Sequence, residues 1–228
     1  MGHAIEEIAV SKGHEIVLKI SIDNVEDMTI ENVKKADVAI EFTGPESAAT
    51  NLEKCFEAGV PVVCGSTGWL DKWDEIVKLC KEKDGSLLYA SNFSIGVNLF
   101  FELNTYLAKL MQDYEEYEVK MEEIHHTQKK DAPSGTAITF AEQIMANLQR
   151  KKHWVNKEST REEDLQIISE RINPAPGTHK IKYTSAIDDI EIIHTAHNRI
   201  GFAGGAVKAA EFLHGKKGIY NMKDVLGL

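Results

Sequence analysis

Short apolar runs alternate with amphipathic stretches through the first ninety residues. The apolar runs predict strands at residues 15–22, 37–42, 60–64 and 87–91. Apolar residues at helical spacing between them predict helices at 4–12, 45–58 and 70–83, with Gly13 and Gly59 as C-terminal stops. Alternating buried strands and helices are typical of a parallel sheet covered on both faces. We therefore predict a doubly wound, Rossmann-like α/β domain.

The pattern changes after the stretch at 91–98. Residues 117–126 alternate between apolar and polar positions, as expected for a strand with one covered face in a mixed or antiparallel sheet. Further strands are predicted at 181–187 and 189–197, and helices at 134–150 and 202–216. The charged segment 151–164 is predicted to be a solvated loop or a short helix. This half of the chain predicts a second, α+β domain.

Composition narrows the class of protein. The 228 residues carry a formal net charge of -10, which argues against general nucleic-acid binding. The three cysteines form no CxxC motif, which favours reduced thiols over a disulfide framework. Neither a signal peptide pattern nor an apolar run of membrane-spanning length is present. We expect a soluble cytoplasmic protein without membrane or nucleic-acid partners.

Small and polar residues follow the predicted strands of the first domain. Parallel strands end at one edge of a sheet, and ligands of such folds bind beyond that edge. Ordinary turns are also rich in small and polar residues. Three such loops at one edge of the sheet nevertheless favour a nucleotide site. The three loops are Phe42-Thr43-Gly44, Gly65-Ser66-Thr67-Gly68 and Ala90-Ser91-Asn92-Phe93.

A basic cluster stands out in this acidic chain, in the stretch EEIHHTQKKDAPSGTA at 122–137. His125, His126, Lys129 and Lys130 come just before a predicted helix whose first turn holds Gly135 and Thr136. A helix N-terminus and cationic side chains together favour an anion. Adjacent strand residues point to opposite faces, and no third ligand follows at metal-site spacing, so no metal is predicted. We expect a pocket for a small dicarboxylate.

The same stretch resembles the substrate motif of the dihydrodipicolinate reductase family. The resemblance extends, in order, over nearly the whole chain. It implies reduction of a cyclic imine-like dicarboxylate by NADH or NADPH, a step toward diaminopimelate and lysine, in a cytoplasmic homotetramer. It also implies a split cofactor domain, 1–95 with 199–228, around a substrate and oligomerisation domain at 96–198. The matching stretches are IEFTGPESA, VVCGSTGW, ASNFSIGVN, HNRIGFAGGAVKAA and NMKDVLGL.

The resemblance also implies residue roles. His125 would be placed as an acid, Lys129 as proton donor or charge partner, and His126 as a contact for a substrate carboxylate. Gly135 and Thr136 would bind a carboxylate at the helix N-terminus. The cofactor would contact the following residues: Phe42, Thr43, Gly65, Ser66, Thr67, Ala90, Ser91, Asn92, Phe93 and, less firmly, Asp23 and Arg199.

Two alternatives stay open at the level of sequence. The chain could be another two-domain NAD(P)-dependent dehydrogenase, which would need a nucleophilic cysteine such as Cys64 or a different acid–base set. It could also be a catalytically impaired nucleotide-binding homologue, because it starts inside the first predicted helix. A dinucleotide fold usually opens with a strand and a GxGxxG turn. We expect the native chain to begin about a dozen residues earlier, with one strand and a glycine turn.

Overall fold

The computed structural model describes residues 1–198 and 200–228. The chain divides into two compact units, one formed by Met1–Ile95 with Ile200–Leu228 and the other by Gly96–Arg199. We call them unit 1 and unit 2. Within the described residues, no helix combines the length and apolarity needed to cross a membrane.

Unit 1 is built on a parallel sheet of four short strands. These are β1 (Ala39–Glu41), β2 (Val62–Cys64), β3 (Ser86–Tyr89) and β9 (Gly218–Tyr220). They lie in the order β1-β2-β3-β9, and each neighbouring pair is parallel. Side chains of successive strand residues point to opposite faces, so Val62 and Val63 enter different apolar clusters. Both faces of the sheet are therefore covered.

Helices pack on both faces of this sheet. The helix α3 (Pro45–Ala58) starts at Pro45, because proline is well accommodated at the first position of a helix. It ends before Gly59, whose φ of 72° is a left-handed conformation that favours glycine. The predicted doubly wound α/β class is confirmed. The helices of unit 1 are α1 (Gly2–Ser11), α2 (Ile30–Val33), α3 (Pro45–Ala58), α4 (Trp73–Glu82), α7 (Ile200–Leu213) and α8 (Met222–Leu226).

The strand predicted at 15–22 is wrong. This segment is not part of a sheet, and it leads into a 3-10 helix at Ile22–Asp27. Ile16 and Val17 are exposed. A strand needs a hydrogen-bonding neighbour as well as β-branched residues, and none of the described strands pairs with this segment. Local composition therefore predicted a strand that has no partner to pair with.

Unit 2 contains a mixed five-stranded sheet in the order β5-β6-β4-β7-β8. Its central strand β4 pairs in parallel with β6 and antiparallel with β7. Helices α5 (Ile95–Leu110) and α6 (Gly135–Asn147) contribute to the same apolar core, as an α+β unit requires. The strands are β4 (Glu118–His125), β5 (His153–Val155), β6 (Asp164–Arg171), β7 (Gly177–Thr184) and β8 (Asp189–Ala196).

The charged segment at 151–164 differs from the predicted solvated loop. It contains the edge strand β5, and Lys151 at its start is buried. The Lys151 ammonium donates to Glu118 Oε1 and the Glu162 carbonyl at 2.6 Å each, and to the Asp164 carbonyl at 3.1 Å. Charge density alone predicted exposure, whereas these oxygens provide Lys151 with a buried site. The adjacent strand β6 and helix α5 were also not predicted.

Candidate active site

The loops that follow β1, β2 and β3 lie together at the carboxyl edge of the unit 1 sheet. One cleft of about 280 Å³ is lined by residues from the first two loops. A second, of about 250 Å³, is lined by residues of all three, with Met1 and Phe202. The predicted cofactor residues that line these two clefts are Phe42, Thr43, Gly65, Ser66, Thr67, Ser91, Asn92 and Phe93.

These loops are held by contacts within unit 1. A Cβ at Gly65 would lie 2.2 Å from the Phe42 ring, and one at Gly205 of α7 would lie 1.8 Å from the Phe93 carbonyl oxygen. Gly205 therefore requires glycine, because the obstacle is backbone, whereas a side chain at Gly65 would force the Phe42 ring to move. The Trp69 indole donates to the Ser66 carbonyl at 2.8 Å. Close packing and this hydrogen bond therefore fix the loops through residues of unit 1 itself.

The donor set of the cleft fits a nicotinamide dinucleotide. Gly44 and Pro45 border it at the start of α3, and glycine at the N-cap leaves that helix end without a side-chain cap. A helix N-terminus of this kind favours phosphate oxygens. Ser66 and Ser91 line the clefts and carry hydroxyl groups, whereas the Thr43 hydroxyl donates to Glu41 Oε1.

Three other predicted cofactor residues have different outcomes. Ala90 directly follows β3, and its N–H donates to the Cys64 carbonyl at 3.3 Å. Asp23 lies in the first turn of the 3-10 helix Ile22–Asp27 and is not among the described residues that line either cleft. Arg199 lies outside the described residues. A ribose contact by Asp23 stays a prediction without a structural argument in its favour.

In unit 2, the last inward-facing positions of β4 are ionisable rather than apolar. Val119, Met121, Glu123 and His125 alternate along the strand and are all buried. His179 of β7, antiparallel to β4, is paired with Glu123 and buried against it. The His125 and His179 ring centroids are 5.2 Å apart. We call Glu123, His125, His179 and Arg171 the polar cluster.

The Glu123 carboxylate is the centre of the polar cluster. Its Oε1 accepts hydrogen bonds from Ser134 N at 3.0 Å, Ser169 Oγ at 2.8 Å and Arg171 Nη2 at 3.2 Å. Burial favours the neutral acid, but hydrogen bonds from Ser134 and Ser169 and the nearby His125 outweigh it and hold the pKa of Glu123 below its ordinary value. Glu123 is therefore a buried carboxylate that stays charged.

Both histidines of the polar cluster favour the neutral form. Burial is the largest cause that lowers the pKa of His125; Glu123 opposes it and Lys129 adds to it. Burial and then the neighbouring His125 lower the pKa of His179 to about 3. Desolvation penalises the charged imidazole in each case. At neutral pH, the positive charges beside Glu123 therefore come from Arg171 and Lys129.

We expect acid to destabilise the protein through His179. Its folded-state pKa lies below the value of about 6.5 for a free histidine. Below pH 6.5 the unfolded chain binds a proton that folded His179 does not, so this stability is complete above pH 6.5 and is lost as pH falls. His179→Gln should reduce the loss of unfolding free energy between pH 7 and pH 5 by about 2 kcal/mol.

Urea unfolding at the two pH values measures this difference. His153→Gln, at an exposed histidine of the same unit, is the matched control and should keep the wild-type dependence. An unchanged pH dependence in His179→Gln would contradict the expectation.

A turn between β4 and α6 carries the remaining predicted residues. Lys129 Nζ lies 2.9 Å from the Asp131 carboxylate, and Lys129 N donates to the His126 carbonyl at 3.1 Å. Arg171 also donates to the Asp131 carbonyl. The side chains of His126 and Lys129 are half-buried. This turn places the Lys129 ammonium beside the cluster that includes His125.

The N-terminus of α6 adjoins the same cluster. Ser134 caps the helix by accepting from Ala137 N at 3.1 Å, while its own N–H donates to Glu123. Gly135 is exposed, and a Cβ there would meet no atom within 4 Å. Thr136 follows in the first turn. The polar cluster therefore adjoins the helix start that carries Gly135 and Thr136, through Ser134, and the turn that carries Lys129, through Arg171; the binding roles of these residues stay predictions.

Sequence reasoning missed Glu123, Arg171, Ser169 and His179. Glu123 could have been found, because it occupies an inward position of an alternating strand. His179 comes from another strand, so a search for ligands by spacing along the sequence could not find it. Glu123, His125 and His179 each have one atom that could bind a metal, and these three atoms lie within 4.8 Å of one another. Arg171 and Lys129 beside them oppose a cation, and the absence of a metal stays a prediction.

Comparison with known proteins agrees with this arrangement. Residues 1–93 match the family model "Dihydrodipicolinate reductase, N-terminus", and residues 96–226 match "Dihydrodipicolinate reductase, C-terminus". A 4-hydroxy-tetrahydrodipicolinate reductase of Christiangramia forsetii is 50% identical over 99% of this chain and 93% of the relative. One of Neisseria gonorrhoeae is 35% identical over 98% of this chain and 84% of the relative.

Solved structures show the same fold. A dipicolinate-bound dihydrodipicolinate reductase from a Paenisporosarcina species has a TM-score of 0.66 at 23% identity, covering 93% of this chain and 82% of that one. A probable dehydrogenase from Thermotoga maritima has a TM-score of 0.52 at 10% identity, covering 99% and 83%. From the two family models and the 50% identical relative, this chain belongs to the dihydrodipicolinate reductase family.

Proposed function

We propose that this reductase converts 4-hydroxy-tetrahydrodipicolinate to tetrahydrodipicolinate, using NADH or NADPH, in lysine and diaminopimelate biosynthesis. The observation that carries the proposal is the juxtaposition of Lys129, His125 and the N-terminus of α6 in unit 2. The helix N-terminus is one anion-binding element and the cationic Lys129 beside His125 is the other, which suits a substrate with two carboxylates. The relatives from Christiangramia forsetii and Neisseria gonorrhoeae carry the name of this activity.

Each residue has a role that its surroundings support. The nicotinamide supplies a hydride when bound. The first-turn N–H groups of Gly135 and Thr136 face one substrate carboxylate, and His126 contacts the other. Lys129 delivers the proton or offsets the charge that develops when the hydride arrives. Burial is the largest cause that lowers the pKa of His125, so this residue is neutral at neutral pH and acts beside Lys129 as an acid–base group that gains and loses a proton.

A thiol-dependent dehydrogenase is not favoured. Burial is the largest cause that raises the pKa of Cys64, and the Glu41 carboxylate raises it further. Its Sγ donates to Glu41 Oε2 at 3.2 Å. A nucleophilic cysteine needs the opposite surroundings, with cations that stabilise the thiolate.

We also propose a cytoplasmic homotetramer. Large exposed apolar side chains of unit 2 lie along α5, at Leu99, Leu103, Tyr106 and Leu110, and β8 forms an edge of the described sheet. Apolar stripes and open sheet edges favour self-association. Light scattering should give about four times the 25.4 kDa of one chain; a monomer would contradict the assembly.

The cysteines are free thiols, which supports a reducing compartment.

The activity is tested by following the absorbance of NADH or NADPH with enzymatically generated substrate. We expect cofactor oxidation that depends on the substrate, and competitive inhibition by pyridine-2,6-dicarboxylate. No substrate-dependent oxidation by pure, folded protein with either cofactor would contradict the proposed reaction.

Thr136→Val should weaken binding of pyridine-2,6-dicarboxylate about tenfold, because one hydroxyl is lost from the helix N-terminus; a hydrogen bond to a charged group contributes about 1.5 kcal/mol. Calorimetric titration measures the dissociation constant. The control is Thr105→Val, because the Thr105 hydroxyl donates to the Phe101 carbonyl of its own helix. Unchanged affinity in Thr136→Val would place the di-acid elsewhere.

A further inference from the structure

The two oxygens of the buried Glu123 carboxylate contact different parts of unit 2. Oε1 accepts from Ser134, Ser169 and Arg171. Oε2 has no hydrogen-bond partner among the described residues, yet it faces His125 Nδ1 at 3.4 Å and His179 Nε2 at 3.8 Å. A buried carboxylate oxygen without a donor is unfavourable. The two imidazole nitrogens are therefore the candidate donors, each slightly farther from Oε2 than the usual hydrogen-bond distance of about 2.7–3.2 Å.

His125 is the better placed of the two donors. Its Nδ1 is buried, is closer to Oε2 than the His179 nitrogen, and also lacks a hydrogen-bond partner among the described residues. His179 Nε2 already lies 3.3 Å from Ser134 Oγ. A proton on His125 Nδ1 would give a hydrogen bond to both Nδ1 and Glu123 Oε2, the two atoms that lack one. A hydrogen bond from one ring nitrogen to a carboxylate fixes which imidazole nitrogen carries the proton.

We propose that Glu123 is a positioning residue: its Oε2 fixes the proton on Nδ1 of His125, and its Oε1 anchors the N-terminus of α6 through Ser134. This inference rests on the proposed function, since it gives both elements their roles toward a di-acid. One carboxylate thereby sets the geometry of the imidazole and of the carboxylate-binding turn together.

The consequence for His125 is that Nε2 becomes the nitrogen that accepts and releases a proton. Gly177 leaves the space next to it, because a Cβ there would lie 3.1 Å from Nε2. The charged and titratable groups around His125 are Glu123 on its own strand, His179 on β7, Arg171 on β6, and Lys129 and Asp131 on the following turn. Arg171 stabilises the carboxylate form of Glu123, which holds the Nδ1 proton.

Glu123→Gln tests the role, because it keeps the shape and removes the charge. Nitrogen-15 NMR of the imidazoles, assigned with a His125→Gln sample, reports which nitrogen of His125 carries the proton. We expect Nδ1–H in the wild type and loss of that preference in Glu123→Gln. We also expect kcat to fall about a hundredfold, within the range for acid–base catalysis, with KM changed much less.

Glu122→Gln is the matched control, since this neighbouring carboxylate is exposed on the other face of β4. It should keep the wild-type kcat and tautomer. Glu123→Asp, which retains the charge on a shorter side chain, should recover part of kcat and covers the case in which Glu123→Gln does not fold.

Several results would overturn the proposal. One is a wild-type His125 protonated on Nε2; another is loss of kcat in Glu123→Gln with the tautomer unchanged, which would indicate a purely structural role. The tautomer is measured without substrate. A chain that lacks the reductase activity but shows Nδ1–H would therefore contradict the proposed function and not the positioning.

Discussion

Lys129→Met is expected to lower kcat by about 10²–10⁴-fold, the usual contribution of a positioned acid. Methionine keeps the length of the side chain and removes the ammonium that lies 2.9 Å from Asp131. The unfolding free energy should change little, because pairs of this kind near the surface contribute about 0–1 kcal/mol. The measurement is steady-state kinetics at saturating substrate and cofactor, beside thermal unfolding of the same samples.

Lys130→Met is the matched control, since Lys130 is the exposed neighbour on the same turn. It removes the same charge and should keep kcat. A wild-type kcat in Lys129→Met, or equal losses in the two variants, would remove Lys129 from the mechanism.

Lys129→Arg separates the two roles that remain open for this residue. Arginine keeps the positive charge but is too weak an acid to deliver a proton. If kcat stays low, Lys129 is the proton donor. If arginine restores kcat, the positive charge near the substrate is what matters.

Lys151→Met is expected to lower the unfolding free energy by about 3 kcal/mol, since the buried ammonium donates to the Glu162 and Asp164 carbonyls and each buried acceptor left without a donor costs about 1–3 kcal/mol. For a chain of this size the melting temperature should fall by about 10 °C. Differential scanning calorimetry measures it.

Lys152→Met gives the comparison for Lys151, because the next residue is an exposed lysine. Its melting temperature should stay within about 2 °C of the wild type, as for most surface substitutions. Equal stability of Lys151→Met and Lys152→Met would show that the buried ammonium does not hold this region together.

Periodicity predicted those elements whose side chains face a core. The helix α3 has its apolar stripe between Pro45 and Gly59, and β4 alternates along its length. It failed at 15–22, where the residues favour a strand but the described sheet offers no partner. It also failed around Lys151, whose burial depends on oxygens contributed by β4 and by the residues before and at the start of β6.

The candidate site was predictable where its residues are close in sequence. His125, Lys129, Gly135 and Thr136 belong to one continuous stretch, and the structure places them around one turn. Arg171 and His179 reach the same cluster only because β6 and β7 both pair with β4. Such pairing joins residues that are distant in sequence, so no local spacing rule identifies them.

The division of the chain into units has a consequence for biosynthesis. Unit 2 is continuous in sequence. The sheet of unit 1, by contrast, has as its last strand β9 (Gly218–Tyr220), which lies beside β3 and follows unit 2 in the chain. A ribosome therefore completes every strand of unit 2 before it makes the strand that covers the open edge of β3. Residues 90–217 intervene, so at about 5–20 residues per second the edge waits for roughly 6–26 seconds. During translation the backbone groups of β3 that later pair with β9 are therefore without that partner.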